Sequence, residues 1–322
     1  MPLRTIHAPG VYHGLRQKPP FFEGWYYKLV SADEYYKIVL IPGVILGQNG
    51  HAFLQVMNGV DGKTAYLEFP LTDFRADDRK FSIGLDKNRF DEHHLHIELD
   101  TTSCQLKGDI QLGALNPWPI TWFSPGIMGW FAWFPHMECY HGILSFSHTL
   151  QGSLTWNGTE MDFSGGRGYI EKDWGKSFPS AWIWLQSNHF AATDACITAS
   201  VAVIPWTGFD FRGFIVGFWL DGSLHRFATY NGSRIISLQI FDDYVSWVLQ
   251  NRQFRLSLKA FRVQGGLLLG PTRQDMGQRV METLNATVEV RLETLQGKLL
   301  FEGTGAHTGL EVMGNLPRLL QK

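Results

Sequence analysis

Between Gly165 and Gly175 the chain reads GGRGYIEKDWG, and it continues as KSFPSAWIWLQSNHF to Phe190. The first stretch sets two carboxylic acids, Glu171 and Asp173, beside a phenol, Tyr169. On an extended strand the side-chain period is two, so Tyr169, Glu171 and Asp173 share one face and Ile170, Lys172 and Trp174 take the other. Alternate Cα atoms lie roughly 7 Å apart, which lets the two carboxylates hold separate partners. Gly165, Gly166 and Gly168 permit a bulge or a close backbone approach just before this face. A carboxylic acid in an apolar pocket keeps its proton at neutral pH, and a phenol next to it can relay one. Tyr169, Glu171 and Asp173 are therefore the catalytic candidates. The plainer reading of Asp173 is structural, as a turn cap or an ion-pair partner of Arg167 and Lys176.

The next strand repeats the pattern. Trp182, Trp184, Gln186 and Asn188 share one face, and Ile183, Leu185, Ser187 and His189 share the other. Indoles are costly to expose and buried amides need hydrogen bonds, so a cavity wall suits this face; a core closed by a polar layer is the alternative. In PPFFEGWYYKLV (19–30), Glu23, Trp25 and Tyr27 alternate onto one face. In PHMECYHG (135–142), His136, Glu138 and Tyr140 alternate and His141 follows. Glu23, Trp25, His141, Trp182, Trp184 and Asn188 are the substrate-binding candidates. His136, Glu138 and His141, or His94 with His96, are compatible with a metal but match no strong ligand spacing, so none is expected. No G-x-G-x-x-G after a strand, Walker loop, G-x-S-x-G elbow or C-x-x-C occurs, and no cofactor is expected either.

The elements that must position these residues are short strands. Apolar or alternating runs such as Tyr35–Leu46, His51–Met57, His94–Leu99, Ala195–Pro205, Phe211–Leu220 and Phe254–Phe261 are separated by turn dipeptides, among them Asp61-Gly62, Asn157-Gly158, Asp221-Gly222 and Asn231-Gly232. Only Gln274–Glu282 hints at a helical stripe, and it reads equally as a loop. More than a dozen strands joined by short turns predict an all-β, antiparallel architecture. One closed sheet of that size is uneconomical, so two antiparallel barrels or sandwiches are expected. The break is placed after the aromatic, proline-rich segment 116–135, giving domains 1–135 and 136–322, with the final strand packing at the junction.

Composition bounds the partners. Hydrophobic residues make up 44% of the chain and charged ones only 18%, with 12 Trp and 23 Phe, which points to a broad apolar interior. The 28 Lys and Arg against 30 Asp and Glu give a net charge of −2 and no basic field, which excludes ordinary nucleic-acid binding. Three widely spaced cysteines suit a reducing, cytoplasmic compartment. The N-terminus lacks a signal-type apolar region, and no run is long enough for a transmembrane helix. Peripheral membrane contact would need an exposed apolar rim. Oligomeric state is not encoded in any visible pattern.

At FFEGWYYK (21–28), MECYHG (137–142), the block 165–190 and GAHTGLEVMG (305–314), the chain resembles tocopherol cyclase-like proteins, relatives of carotenoid 1,2-hydratases and lipocalin-like pericyclases. The resemblance covers nearly the whole chain. It implies two lipocalin-like barrels with a ligand in or near the space between them. In the hydratases a Tyr, and an Asp two residues later before Asn-Trp-Gly, are functional candidates; the matching positions here are Tyr169 and Glu171, before Asp173-Trp174-Gly175. Glu replaces Asp and Asp replaces Asn, which changes the reach of the acid. The resemblance implies cofactor-independent cyclisation of a prenylated quinol: an acid protonates the alkene, aromatic faces stabilise the cation, and the phenol oxygen closes the ring. Glu23, His141 and Asn188 would orient hydroxyls or accept the phenolic proton. Hydration or isomerisation of an isoprenoid alkene is the alternative, and non-catalytic binding of a hydrophobic ligand is another.

Overall fold

The computed structural model describes residues 6–135, 137–191, 194–206 and 208–321. Nearly all regular structure is antiparallel strand, as the alternation and turn dipeptides predict. Asn157 (φ 47°) and Gly158 (φ 84°) make the two-residue turn between Cys139–Trp156 and Thr159–Asp162. Asp221 (φ 46°) and Gly222 (φ 78°) do the same between Phe209–Leu220 and Ser223–Ala228. Both central residues sit at positive φ, which matches the twist of the flanking strands. The segment 274–282, readable as a loop or a short helix, is a turn leading into the strand Gln278–Thr294. The Thr272 hydroxyl and backbone N–H both engage the Asp275 carbonyl there.

The chain divides into two compact units: one runs through Phe178 and adds Gly266–Arg279, and the other comprises Pro179–Gly265 and the chain from Val280 onward. The aromatic segment 116–135, where the sequence suggested a break, lies inside the first unit. The strands that follow it, Cys139–Trp156 and Arg167–Gly175, are interior strands of the first sheet. The segment itself forms a small hairpin, Ile120–Thr121 with Ser124–Pro125, and a 3-10 helix, Gly129–Trp133.

The first sheet runs from Thr64–Phe69 through His51–Asn58, Lys37–Leu46, Phe21–Val30, Arg167–Gly175, Cys139–Trp156, Gln105–Leu112, His94–Asp100, Asn88–Asp91 and Ser82–Leu85 to Phe74–Ala76. The second runs from Ser223–Ala228 through Phe209–Leu220, Cys196–Trp206, Ala181–Ser187, Leu299–Gly314, Gln278–Thr294, Phe254–Phe261 and Tyr244–Gln250 to Arg234–Ile240.

Neither path closes among the described residues, so the expectation of two β-barrels is corrected to two large open antiparallel sheets. Closure requires the two end strands to hydrogen-bond to each other. In both sheets the end strands are consecutive in sequence, yet a 3-10 turn separates them, Leu71–Asp73 in one and Thr229–Asn231 in the other. Pro70 lacks the N–H that a continuing ladder needs. Each sheet nevertheless curls around its own core. Trp25, Leu40 and Leu54 from one half of the first path cluster with Phe90, Leu106 and Ile110 from the other. In the second sheet Ile183, Val201 and Phe218 cluster with Trp247, Leu256 and Val290.

Candidate acid–base site

The strand Arg167–Gly175 lies between Phe21–Val30 and Cys139–Trp156, with neighbours hydrogen-bonded on both sides. Two of its glycines permit this close fit. A Cβ on Gly168 would lie 2.2 Å from His148 Nε2, and one on Gly175 would lie 2.3 Å from the Glu138 carbonyl oxygen. The partner strand shifts register between Ile143 and Ser145 and again before His148. The bulge expected from the glycines therefore falls in the strand opposite them.

The period-two division is realised. Asp173 stands across from His141, and Glu171 across from Ile143. The Tyr169 hydroxyl donates to Glu171 Oε2. His141 Nδ1 lies 2.7 Å from Asp173 Oδ1, and its Nε2 lies 3.6 Å from Glu171 Oε2. Tyr169 is fully buried, Glu171 nearly so, and the Asp173 side chain is 26% exposed. His141 Nε2 is buried and makes no hydrogen bond to any of the described residues. Burial disfavours a charged His141, but Asp173 and Glu171, together with the Asp173 hydrogen bond, overcome that penalty and raise it to about 9. At neutral pH the ring is an imidazolium whose Nδ1–H donates to Asp173. Asp173 thus takes His141 as its ion-pair partner rather than Arg167 or Lys176.

Glu23 and Trp25 lie on the opposite face of the same sheet. Their cross-strand neighbours are Trp174 and Lys172, not Tyr169, Glu171 or Asp173. Glu23 and Lys172 are both fully buried and form an ion pair. Lys172 Nζ also reaches the Val11 carbonyl at 2.5 Å and lies 2.7 Å from His13 Nδ1, which is itself 3.1 Å from Glu23 Oε1 and either accepts from Lys172 or donates to Glu23. His13 donates its backbone N–H to the Glu23 carboxylate and stacks on Trp174, with ring centroids 4.4 Å apart. The ammonium also lies 4.6 Å from the Trp25 ring. Burial draws Lys172 down to about 8 against the opposing pull of Glu23, and Glu23, despite its own burial, is held low by Lys172 and His13. This second cluster is a clamp between the N-terminal segment and two strands. The role of His13 has no sequence signal, because its partners are 10 and 159 residues away.

Trp182, Trp184 and Asn188 belong to the second unit. Trp182 and Trp184 are buried on the face opposite Ile183 and Leu185, which enter the core. Trp182 Nε1–H donates to Glu311 Oε2 at 2.5 Å. Asn188 is buried just beyond the strand end. His94 and His96 flank the partly exposed Asp109 carboxylate, at 3.0 and 2.9 Å. His136 lies outside the described residues. Among those described, His141, Glu171 and Asp173 offer three ligand atoms within 4.8 Å of one another. A divalent ion there would need the lone pairs that now hold the proton, so ion and imidazolium are alternatives. His141 also borders a small apolar pocket with Pro9, Trp118, Met128, Ile143 and Trp174.

A model of the tocopherol cyclase-like family matches residues 116–314, well over half of the chain. The chain belongs to this family. The matched region of this tocopherol cyclase-like chain contains the His141, Tyr169, Glu171 and Asp173 cluster and excludes Glu23 and Trp25. It is 24% identical over 203 residues to a probable chloroplastic tocopherol cyclase of Oryza sativa subsp. japonica, and 23% identical over 199 residues to the chloroplastic tocopherol cyclase of Zea mays. These matches cover 58% of the tocopherol cyclase-like chain but only 42% and 41% of the relatives, so it aligns with about two fifths of their length. Its fold is similar to that of CghA, crystallised with Sch210972, with a TM-score of 0.56 at 10% identity over 92% of this chain and 89% of that one.

Proposed function

We propose that the chain catalyses proton-assisted hydration or isomerisation of an alkene in a hydrophobic, isoprenoid-type small molecule, with His141, Glu171, Asp173 and Tyr169 as its acid–base unit. The observation that carries this reading is His141 Nε2, which is buried, lacks a hydrogen-bond partner among the described residues and belongs to a ring held charged by two carboxylates. That N–H gives its proton to an alkene carbon; the π bond breaks and a cation forms at the other carbon. In hydration a water oxygen bonds to the cation and its extra proton passes to the neighbouring base, Glu171, so the net change is addition of one water. In isomerisation Glu171 instead takes a proton from the adjacent carbon and the electron pair forms the shifted π bond; in either route Glu171 returns its proton to His141 Nε2, 3.6 Å away. Asp173 orients the ring through Nδ1, and Tyr169 holds Glu171. Asp173 is a quarter exposed, which lets water reach the cluster.

The acid strength constrains the substrate. A donor near pKa 9 protonates an isolated alkene slowly, because driving force falls as the donor weakens. The double bond is accordingly one made more basic by conjugation to a polyene or an oxygen lone pair. Ring closure onto a phenolic oxygen is the second reading, favoured by the family match. Glu23 and Trp25 serve the clamp on the other face.

The test is turnover of conjugated isoprenoid alkenes in 18O-labelled water, followed by mass spectrometry. Hydration adds one labelled water, whereas cyclisation and isomerisation leave the mass unchanged and are separated by the presence of the new ring. His141→Gln and Glu171→Gln should each lower turnover by roughly 10²–10⁴-fold. Full turnover in both variants rejects the acid–base assignment. Tight substrate binding with no product in the wild type supports a carrier instead.

A further inference from the structure

The segment between Asp109 and Glu138 contains no Lys, Arg, Asp or Glu, and from Asn116 it reads NPWPITWFSPGIMGWFAWFP. The hairpin folds Thr121 against Ser124, and the Ser124 N–H donates to the Thr121 hydroxyl. Its two-residue tip is Trp122-Phe123, exposed by 68% and 85%. The 3-10 helix follows directly, and Trp130 and Phe134 around it are also exposed. Trp130 stacks on Phe131, with centroids 4.1 Å apart, and the His7 ring lies between Trp122 and Trp133, at 5.4 and 5.3 Å. The rings of Trp122, Trp130 and Phe134 are thus fixed by ring packing while remaining exposed.

We propose that this lobe is a membrane-docking surface whose partner is the interfacial region of a lipid bilayer. Three features select lipid over a protein partner. The tip projects two large side chains as a convex wedge, which a fluid accommodates more readily than a fixed surface does. The lobe carries no charge, so it neither requires nor creates electrostatic complementarity. Its composition is Trp and Phe among Pro, Gly and Ile, the mixture favoured where hydrocarbon meets headgroups. The lobe is also continuous with the pocket at His141: Trp118, Pro125, Gly126, Met128 and Ala132 form one wall of it. A hydrophobic molecule leaving the bilayer along the lobe would meet that pocket first. This delivery role rests on the hydrophobic-substrate reading above; docking itself does not.

The experiment is co-flotation of the full chain with zwitterionic phosphatidylcholine vesicles, without substrate. The wild type should float with the vesicles, and brominated lipid should quench part of its tryptophan emission. The double variant Trp122→Ser, Phe123→Ser should reduce the bound fraction by at least roughly tenfold. Its thermal midpoint should change little, since both side chains are largely exposed and Trp122 gives up only its stack on His7. Ile236→Ser, which removes an exposed apolar residue on the second sheet (47% exposed), should bind as the wild type does. Absence of wild-type binding, undiminished binding by the double variant, or equal loss with Ile236→Ser would each overturn the proposal. So would a dimer in sedimentation velocity that the double variant abolishes. Each readout is independent of turnover, so loss of the catalytic assignment and loss of the docking surface remain distinguishable.

Discussion

His141 is the residue on which the acid–base reading turns, and its charge has a measurable consequence for stability. Its folded pKa is raised from 6.5 to about 9 by the surrounding carboxylates against the cost of burial. The stabilisation is therefore fully present below pH 6.5 and is lost as pH rises through 9. Urea unfolding of the wild type and His141→Gln should differ most near the acid end of that window. The gap should shrink toward its alkaline end by up to about 3 kcal/mol. A difference that stays flat with pH would show that the ring is not held charged. Asp173→Asn removes the hydrogen-bonded anion and should lower the alkaline limb of the turnover profile. Tyr169→Phe removes only the donor to Glu171, so its effect should be smaller than that of Glu171→Gln. Tyr169, Glu171 and Asp173 could be grouped from sequence because strand alternation is local. That Asp173 faces His141 could not, because it depends on the register between strands 32 residues apart.

At the scale of elements, the strand Arg167–Gly175 presents different chemistry on its two faces. One face carries the imidazolium and its carboxylates, and the other carries the Lys172, Glu23 and His13 clamp. Lys172→Met should destabilise the protein by about 3–5 kcal/mol, because Glu23 would be left buried without its cation. The combined Glu23→Gln, Lys172→Met variant should lose less than the single substitution, as a denaturation double-mutant cycle would reveal. Equal losses would mean that the charges are not coupled. Gly168→Ala forces a methyl into His148 and should cost about 1–3 kcal/mol, with a lower thermal midpoint and no change in the Tyr169–Glu171 pairing. The sequence motif GGRG marked this close approach but could not say that a histidine from the neighbouring strand causes it.

For the whole molecule, the near balance of charge becomes a prediction about association. A net charge of −2 and an uncharged lobe mean that vesicle binding should change little between low salt and 1 M NaCl, apart from modest salting-in or salting-out. A steep loss of binding with salt would place the contact on a basic surface instead. None of the described helices is long and apolar enough to cross a membrane. The two open sheets each hold their own core, and the sites inferred here belong to the first unit.

The antiparallel strands, the turns at Asn157-Gly158 and Asp221-Gly222, the shared face of Tyr169, Glu171 and Asp173, and membership of the family through its long central block are all legible in the amino-acid order. These depend on neighbours a few residues apart, where φ/ψ preferences and side-chain alternation act directly. Tertiary structure alone decided that the sheets stay open, that the division falls after Phe178, that Glu23 and Trp25 lie behind the acid–base face, and that the uncharged aromatic segment forms an exposed lobe. Each of those outcomes depends on which distant strands pair and which face is covered. That choice belongs to long-range hydrogen bonding and packing, which no local pattern specifies.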